Sequence, residues 1–226
     1  MNSGSHFGRQ ERRIFLYEIR SCFSLRRVPV FILLGILGVL LSVTRSEIPP
    51  LIRIALIAFI GMEKQFNNLL FIAPHEFEAL TLLPVGWRGI VLAKNIATLC
   101  STALLACLLA MPMLYFSPVP LTSADVVGAV QFGLALAFPL LLSGNIASIQ
   151  SPRKGREAMS DPFLSLVGML LFVVVFSIPV ALLMTFVQTP LVTVLYVGGA
   201  GMYWYRVSVP RTANRITQQR FRLCAP

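Results

Sequence analysis

Six apolar runs alternate with polar connections along the chain, over 28–44, 50–72, 90–116, 124–147, 162–187 and 190–205. A helix needs about 20 residues to cross the hydrocarbon of a bilayer, within a range of roughly 17–25. The first and last runs are short, and the third and fifth are long enough to tilt or kink. Pro112, Pro139 and Pro179 fall inside runs. In lipid such prolines are tolerated where neighbouring helices satisfy the carbonyls they free. The pattern predicts six transmembrane helices.

Ahead of them, residues 9–27 read as an amphipathic helix. Phe15, Leu16, Ile19, Cys22 and Phe23 share one face at helical spacing, with Arg13, Arg20, Ser24 and Arg27 on another. Such a helix lies in a membrane interface or faces a partner. It does not read as a signal peptide, because its basic region is too long and no small-residue cleavage site follows the first apolar run.

Composition agrees. Of 226 residues, 56% are hydrophobic and only 12% charged, with a mean hydropathy of +0.78. A soluble domain carries about 25% charged residues. The expected class is therefore an all-α integral membrane protein. Its parts are a cytoplasmic amphipathic interfacial helix over 1–27, a six-helix transmembrane domain over 28–205 and a basic cytoplasmic tail over 206–226.

The net charge of +10 acquires meaning from its placement. Of the 19 lysines and arginines, 17 fall at the two ends and in the 63–94 and 148–161 connections, and only Arg45 and Arg53 fall on the opposite side. Positive residues stay in the cytoplasm, so both termini are expected inside. Charge clustered beside apolar runs suits an anionic leaflet, and no nucleic-acid partner is expected because there is no soluble basic domain.

Little catalytic chemistry is visible. His6 and His75 lie far apart, and Cys22, Cys100, Cys107 and Cys224 contain no Cys-x-x-Cys pair, so no zinc or haem motif forms. Cys100 and Cys107 read as small packing residues on one helix face. Gly-x-Ser-x-Gly, His-Glu-x-x-His and Gly-x-x-x-x-Gly-Lys-Ser/Thr are all absent. No enzymatic role, cofactor or metal is expected.

The connection between the second and third runs is the most informative segment. Pro74 opens a short helix, Glu76 and Glu78 occupy its first turn, and Pro84 and Gly86 end it. Phe77, Leu80 and Leu83 are spaced three apart and form a stripe. Such a helix seats in a partner's groove or folds onto the bilayer surface, and spacing alone leaves both open.

Asn67-Asn68-Leu69-Leu70-Phe71, Glu76-Phe77-Glu78, Leu82-Leu83-Pro84-Val85, Arg88 and Lys94-Asn95 together resemble the first cytoplasmic loop of type-two ABC exporter permeases. Leu83 stands where that pattern has a serine. Gly144-Asn145-Ile146-Ala147-Ser148, followed by Pro152-Arg153-Lys154, resembles the end of the fourth span in the same family. The amphipathic basic helix before the first span is a third likeness. The resemblance implies a permease subunit in a plasma (bacterial inner) membrane, moving a substrate by alternating access. Its partners would be a second permease half, identical or not, membrane lipids, and separate P-loop ATPase subunits that bind the ATP. It makes the segment around Glu76, Phe77, Glu78, Leu80, Leu83 and Pro84 a coupling helix.

Gln131, Ser143 and Asn145 are candidate lining residues for a substrate path, although interhelical hydrogen bonding is a sufficient use for uncharged groups. Two alternatives belong to other classes: a membrane-embedded lipid-modifying enzyme, against which stands the lack of clustered His, Asp or Glu in the runs, and a non-catalytic scaffold or assembly factor, which needs no coupling helix.

Overall fold

The computed structural model describes residues 8–43, 49–62, 82, 86–116, 122–150, 178–187 and 189–223. These are all helical or connecting; no strand occurs among them. The helices are α1 (Arg9–Cys22), α2 (Val28–Val43), α3 (Pro50–Gly61), α4 (Trp87–Tyr115), α5 (Ser123–Gln150), α6 (Ile178–Val187), α7 (Pro190–Tyr203) and α8 (Val209–Leu223). Two are long and apolar enough to cross a membrane, Trp87–Tyr115 and the Ser123–Leu142 part of α5; Val28–Leu40 and Pro50–Gly61 are shorter apolar helices.

Helix α4 is the axis of the fold. Its 29 residues extend about 43 Å at 1.5 Å per residue, more than the roughly 30 Å of a hydrocarbon core. Helices α1, α2, α3 and α8 all pack on it. Helix α5 gathers α3, α6, α7 and α8, so α3 and α8 bridge the two long helices.

Helices α1 and α2 follow α4 in the same direction and nearly the same register. Ile14 clusters with Ile90 and Ala93, and Glu18 reaches Lys94. Farther along, Gly35 faces Leu109 and Gly38 faces Met113. A short 3₁₀ turn, Leu25–Arg27, joins the two helices, and Phe23 and Phe31 pack across it with ring centroids 5.6 Å apart. The buried stripe of α1 is Ile14, Glu18 and Cys22. This differs from the apolar face expected from the sequence. Cys22 belongs to both and Phe23 packs on the core, but Leu16 of the expected face is exposed beside Arg13, Tyr17 and Arg20. The reason is that α1 turns its one suitably placed carboxylate toward α4.

Glycines set how closely α2 and α3 approach. A Cβ on Gly38 would lie 2.6 Å from Met113 Sδ, and one on Gly61 would lie 2.7 and 2.9 Å from methyls of Leu34 and Leu105. Small residues at such points let helix backbones come together where no water drives them.

Helix α5 starts with a reciprocal cap. The Thr122 N–H and hydroxyl both donate to Asp125 Oδ2, at 2.9 and 2.7 Å, and the Asp125 N–H donates to Thr122 Oγ1 at 3.3 Å. This pairs donors that the first helical turn leaves without partners. Within α5, Pro139 has no N–H to give the carbonyl four residues back. That carbonyl, on Ala135, accepts instead from the Tyr196 hydroxyl of α7 at 3.3 Å.

Helix α7 does not stop at the end of the sixth apolar run. One π-helical turn, Trp204–Ser208, carries it directly into α8. The region read as a basic tail is therefore helical to Leu223, with Val209, Thr212, Ala213 and Ile216 buried against α4 and α5. Cys100 and Cys107 do share a face of α4, but that face is exposed, so they are not packing residues.

Gly61→Val should destabilise the fold by about 1–3 kcal/mol, the usual cost of forcing carbon into a packed contact. Gly198 meets nothing within 4 Å of a built Cβ, so Gly198→Ala should be neutral or stabilising by up to about 1 kcal/mol, the helix-propensity difference. Thermal unfolding of both variants in the same detergent checks the contrast, and equal melting temperatures would contradict the packing described.

Candidate functional site

The first half of α4 carries a buried polar stripe on a largely apolar helix. Lys94, Asn95, Thr98, Ser101 and Thr102 are all buried there. The two threonine hydroxyls return to their own helix: Thr98 Oγ1 donates to the Lys94 carbonyl at 3.0 Å, and Thr102 Oγ1 to the Thr98 carbonyl at 2.8 Å. Threonine tolerates burial by this back-bonding. Lysine cannot.

Lys94 is 2% exposed. Its ammonium meets Glu18 Oε1 at 2.7 Å, with the glutamate side chain 11% exposed. The contact is a close ion pair, held by charge rather than by an aligned hydrogen bond. Taking either charge out of water alone costs several kcal/mol, so each residue makes the other's position tolerable. The pair locks α1 to α4 at one height and one rotation. On the other flank, the Arg88 guanidinium lies 5.5 Å from the centre of the Tyr205 ring, a cation–π contact worth about 0.5–1 kcal/mol at an exposed site. The root of α4 is thus held on one side by α1 and on the other by the π turn that leads to α8.

The asparagines are different. Asn95 and Asn145 are both fully buried, and neither the oxygen nor the nitrogen of either amide has a hydrogen-bond partner. Asn95 lies near the start of α4 and Asn145 near the end of α5, two helices that share α3 and α8 as packing partners. An unsatisfied buried polar group costs about 1–3 kcal/mol, and native folds contain few.

Of the predicted path residues, Gln131 is buried in α5 and its Nε2 donates to Thr193 Oγ1 of α7, while its Oε1 has no partner. It therefore serves as an interhelical tie. Asn145 is the one left open. Ser143 lies in α5, with its side chain outside the described residues. Glu76, Phe77, Glu78, Leu80, Leu83 and Pro84 also lie outside the described residues. Among the described residues, no three His, Cys, Asp or Glu come close enough to hold a metal ion.

Sequence reasoning missed the Glu18–Lys94 pair and the unpaired Asn95 amide. A signal for the pair existed: Glu18 lies four residues from both Ile14 and Cys22, on an apolar stripe where a solvated acid has no reason to be.

No family model, curated protein or solved structure matches the chain.

Removing one partner of the pair should be far worse than removing both. Glu18→Ala, or Lys94→Ala, should destabilise by about 3–5 kcal/mol by leaving one charge buried alone. Glu18→Leu with Lys94→Met should recover most of that loss, since packed apolar replacements of buried ion pairs are often neutral. Thermal unfolding in detergent of Glu18→Leu, Lys94→Met and the double variant closes a double-mutant cycle, and additive losses would mean that the two charges are not coupled.

Proposed function

We propose that this chain is the membrane-spanning permease subunit of an ABC-type exporter, with six spans, both termini cytoplasmic, and ATP bound and hydrolysed on separate partner subunits. The observation that carries the reading is the clamped root of α4. That helix begins directly after the 73–85 segment, whose residues resemble a coupling helix, and its first turns are fixed to α1 by the Glu18–Lys94 pair and packed on α8. A push delivered to the segment would move α4 together with both amphipathic helices rather than bend α4 at its first turn.

The unpaired amides of Asn95 and Asn145 suit alternating access. In a wall that closes in one state and opens in another, they would be dry in the closed state and hydrated in the open one. The 17-to-2 distribution of positive residues supports the orientation. Helix α1 would lie at the inner membrane interface, with exposed Leu16 and Tyr17 toward lipid and Arg13 and Arg20 reaching toward headgroups.

The coupling role is testable through the proposed ATPase partner. An aromatic anchor in a desolvated pocket costs about 2 kcal/mol or more when truncated, whereas an exposed rim carboxylate costs about 0–1 kcal/mol. Phe77→Ala should release the ATPase in a mild-detergent pull-down at matched expression, and Glu78→Ala should retain it. Equal recovery in wild type and both variants would sink the coupling-helix role.

A further inference from the structure

A groove between α5 and α7 is not used by the polar stripe. It is lined by Phe138, Pro139 and Leu142 on one side and Tyr196, Ala200, Tyr203 and Trp204 on the other, and has a volume of about 190 Å³. Its origin is local. Pro139 interrupts the hydrogen-bond ladder of α5, and α7 presents only small residues along this stretch, at Gly198, Gly199, Ala200 and Gly201.

The groove offers carbon. The Tyr196 hydroxyl is committed to the Ala135 carbonyl, and the Trp204 N–H is sealed from solvent with no acceptor. An apolar cavity of roughly 150 Å³ stays dry and takes up apolar molecules. Its surroundings are apolar too: Leu195 and Met202 on α7 and Val127 and Val130 on α5 are exposed. Tyr196 and Trp204 are eight residues apart, about 12 Å along the helix, close to the depth of one leaflet of a roughly 30 Å core.

We infer that this groove is a binding site for a lipid acyl chain. The chain enters sideways from the bilayer, lies along Ala200 between Phe138 and Tyr196, and covers the indole of Trp204. The proposal rests on the chain being embedded in a bilayer and is independent of any transport role. Apolar continuity with the surrounding helix faces, with the Tyr196 hydroxyl committed and the Trp204 N–H sealed from solvent, favours an acyl chain over a polar solute.

The protein has two tryptophans, Trp87 and Trp204, so the full-length Trp87→Phe variant reports on Trp204 alone. Reconstituted in phosphatidylcholine vesicles, it should lose most of its emission when the lipid is replaced by phosphatidylcholine brominated along the acyl chain. Aqueous acrylamide should quench little. Adding Ala200→Phe fills the groove and should restore most of the emission in brominated lipid. Ala200→Leu serves where the larger side chain impairs folding, with circular dichroism and gel filtration as the check. Bromine quenching that survives filling would place Trp204 against bulk lipid and overturn the site. Quenching by neither agent would mean that protein, either a second copy or residues 162–177, covers the groove, which also overturns it while leaving the bilayer reading intact. Strong acrylamide quenching without bromine quenching would overturn the bilayer placement itself.

Discussion

An ammonium cannot be left alone inside a bundle of apolar helices, and most of the arrangement around α4 follows from how Lys94 avoids that. Its partner, Glu18, comes from a helix 76 residues earlier in the chain. Bringing the two together at 2.7 Å fixes which face of α1 turns inward and how far along α4 it sits. Helix α2 then continues beside α4 in the register that α1 has set, with Gly35 and Gly38 facing Leu109 and Met113. One electrostatic requirement thereby aligns a polar amphipathic helix and an apolar one over most of the length of α4. The pair need not add net stability for this to hold. A buried ion pair often does no better than a hydrophobic replacement, but it tolerates few geometries, and that is what selects the register here.

A second constraint, the unpaired backbone carbonyl, shapes the other half of the molecule. Pro139 takes a donor away from Ala135, and Tyr196 of α7 supplies one. The Gln131 amide ties to Thr193 about one turn earlier on α5. Together these fix α7 against α5 through polar points. The small residues between Tyr196 and Tyr203 leave a groove rather than a filled seam. Asn95 and Asn145 each bury a whole amide, oxygen and nitrogen, without a partner. They are therefore the places where the described arrangement has most to gain from a change of state.

Much of the element layout was legible in the sequence because long apolar runs bounded by Pro, Gly and charged residues leave few choices. The runs at 28–44, 90–116, 124–147 and 190–205 correspond to Val28–Val43, Trp87–Tyr115, Ser123–Gln150 and Pro190–Tyr203. The faces were harder to read. For α1, periodicity favoured the most apolar stripe, and the structure instead buries the one containing Glu18, because pairing with Lys94 is a tertiary requirement that local hydropathy cannot register. Helix α8 escaped because its buried positions, Val209, Thr212, Ala213 and Ile216, are only modestly apolar and lie among arginines and glutamines. Asn145 stands in the sequence only as one of three candidate path residues, and its buried amide has no partner. Asn95, one position beyond Lys94, stands out in the sequence only as part of a family-like dipeptide, since nothing in its neighbours distinguishes a paired amide from an open one.

The claim that α1 lies lengthwise against the root of α4 has a direct test. In a background with the native cysteines replaced by serine, Ile14→Cys and Ile90→Cys place one thiol on each helix within the small cluster that joins them. Mild oxidation in membranes should form an intramolecular disulfide in this pair, and should not when the first thiol is moved to the exposed position Leu16. Absence of the Ile14–Ile90 cross-link, or equal cross-linking from Leu16, would show that α1 does not dock on α4 through the face that carries Glu18, and the account built on that ion pair would fall.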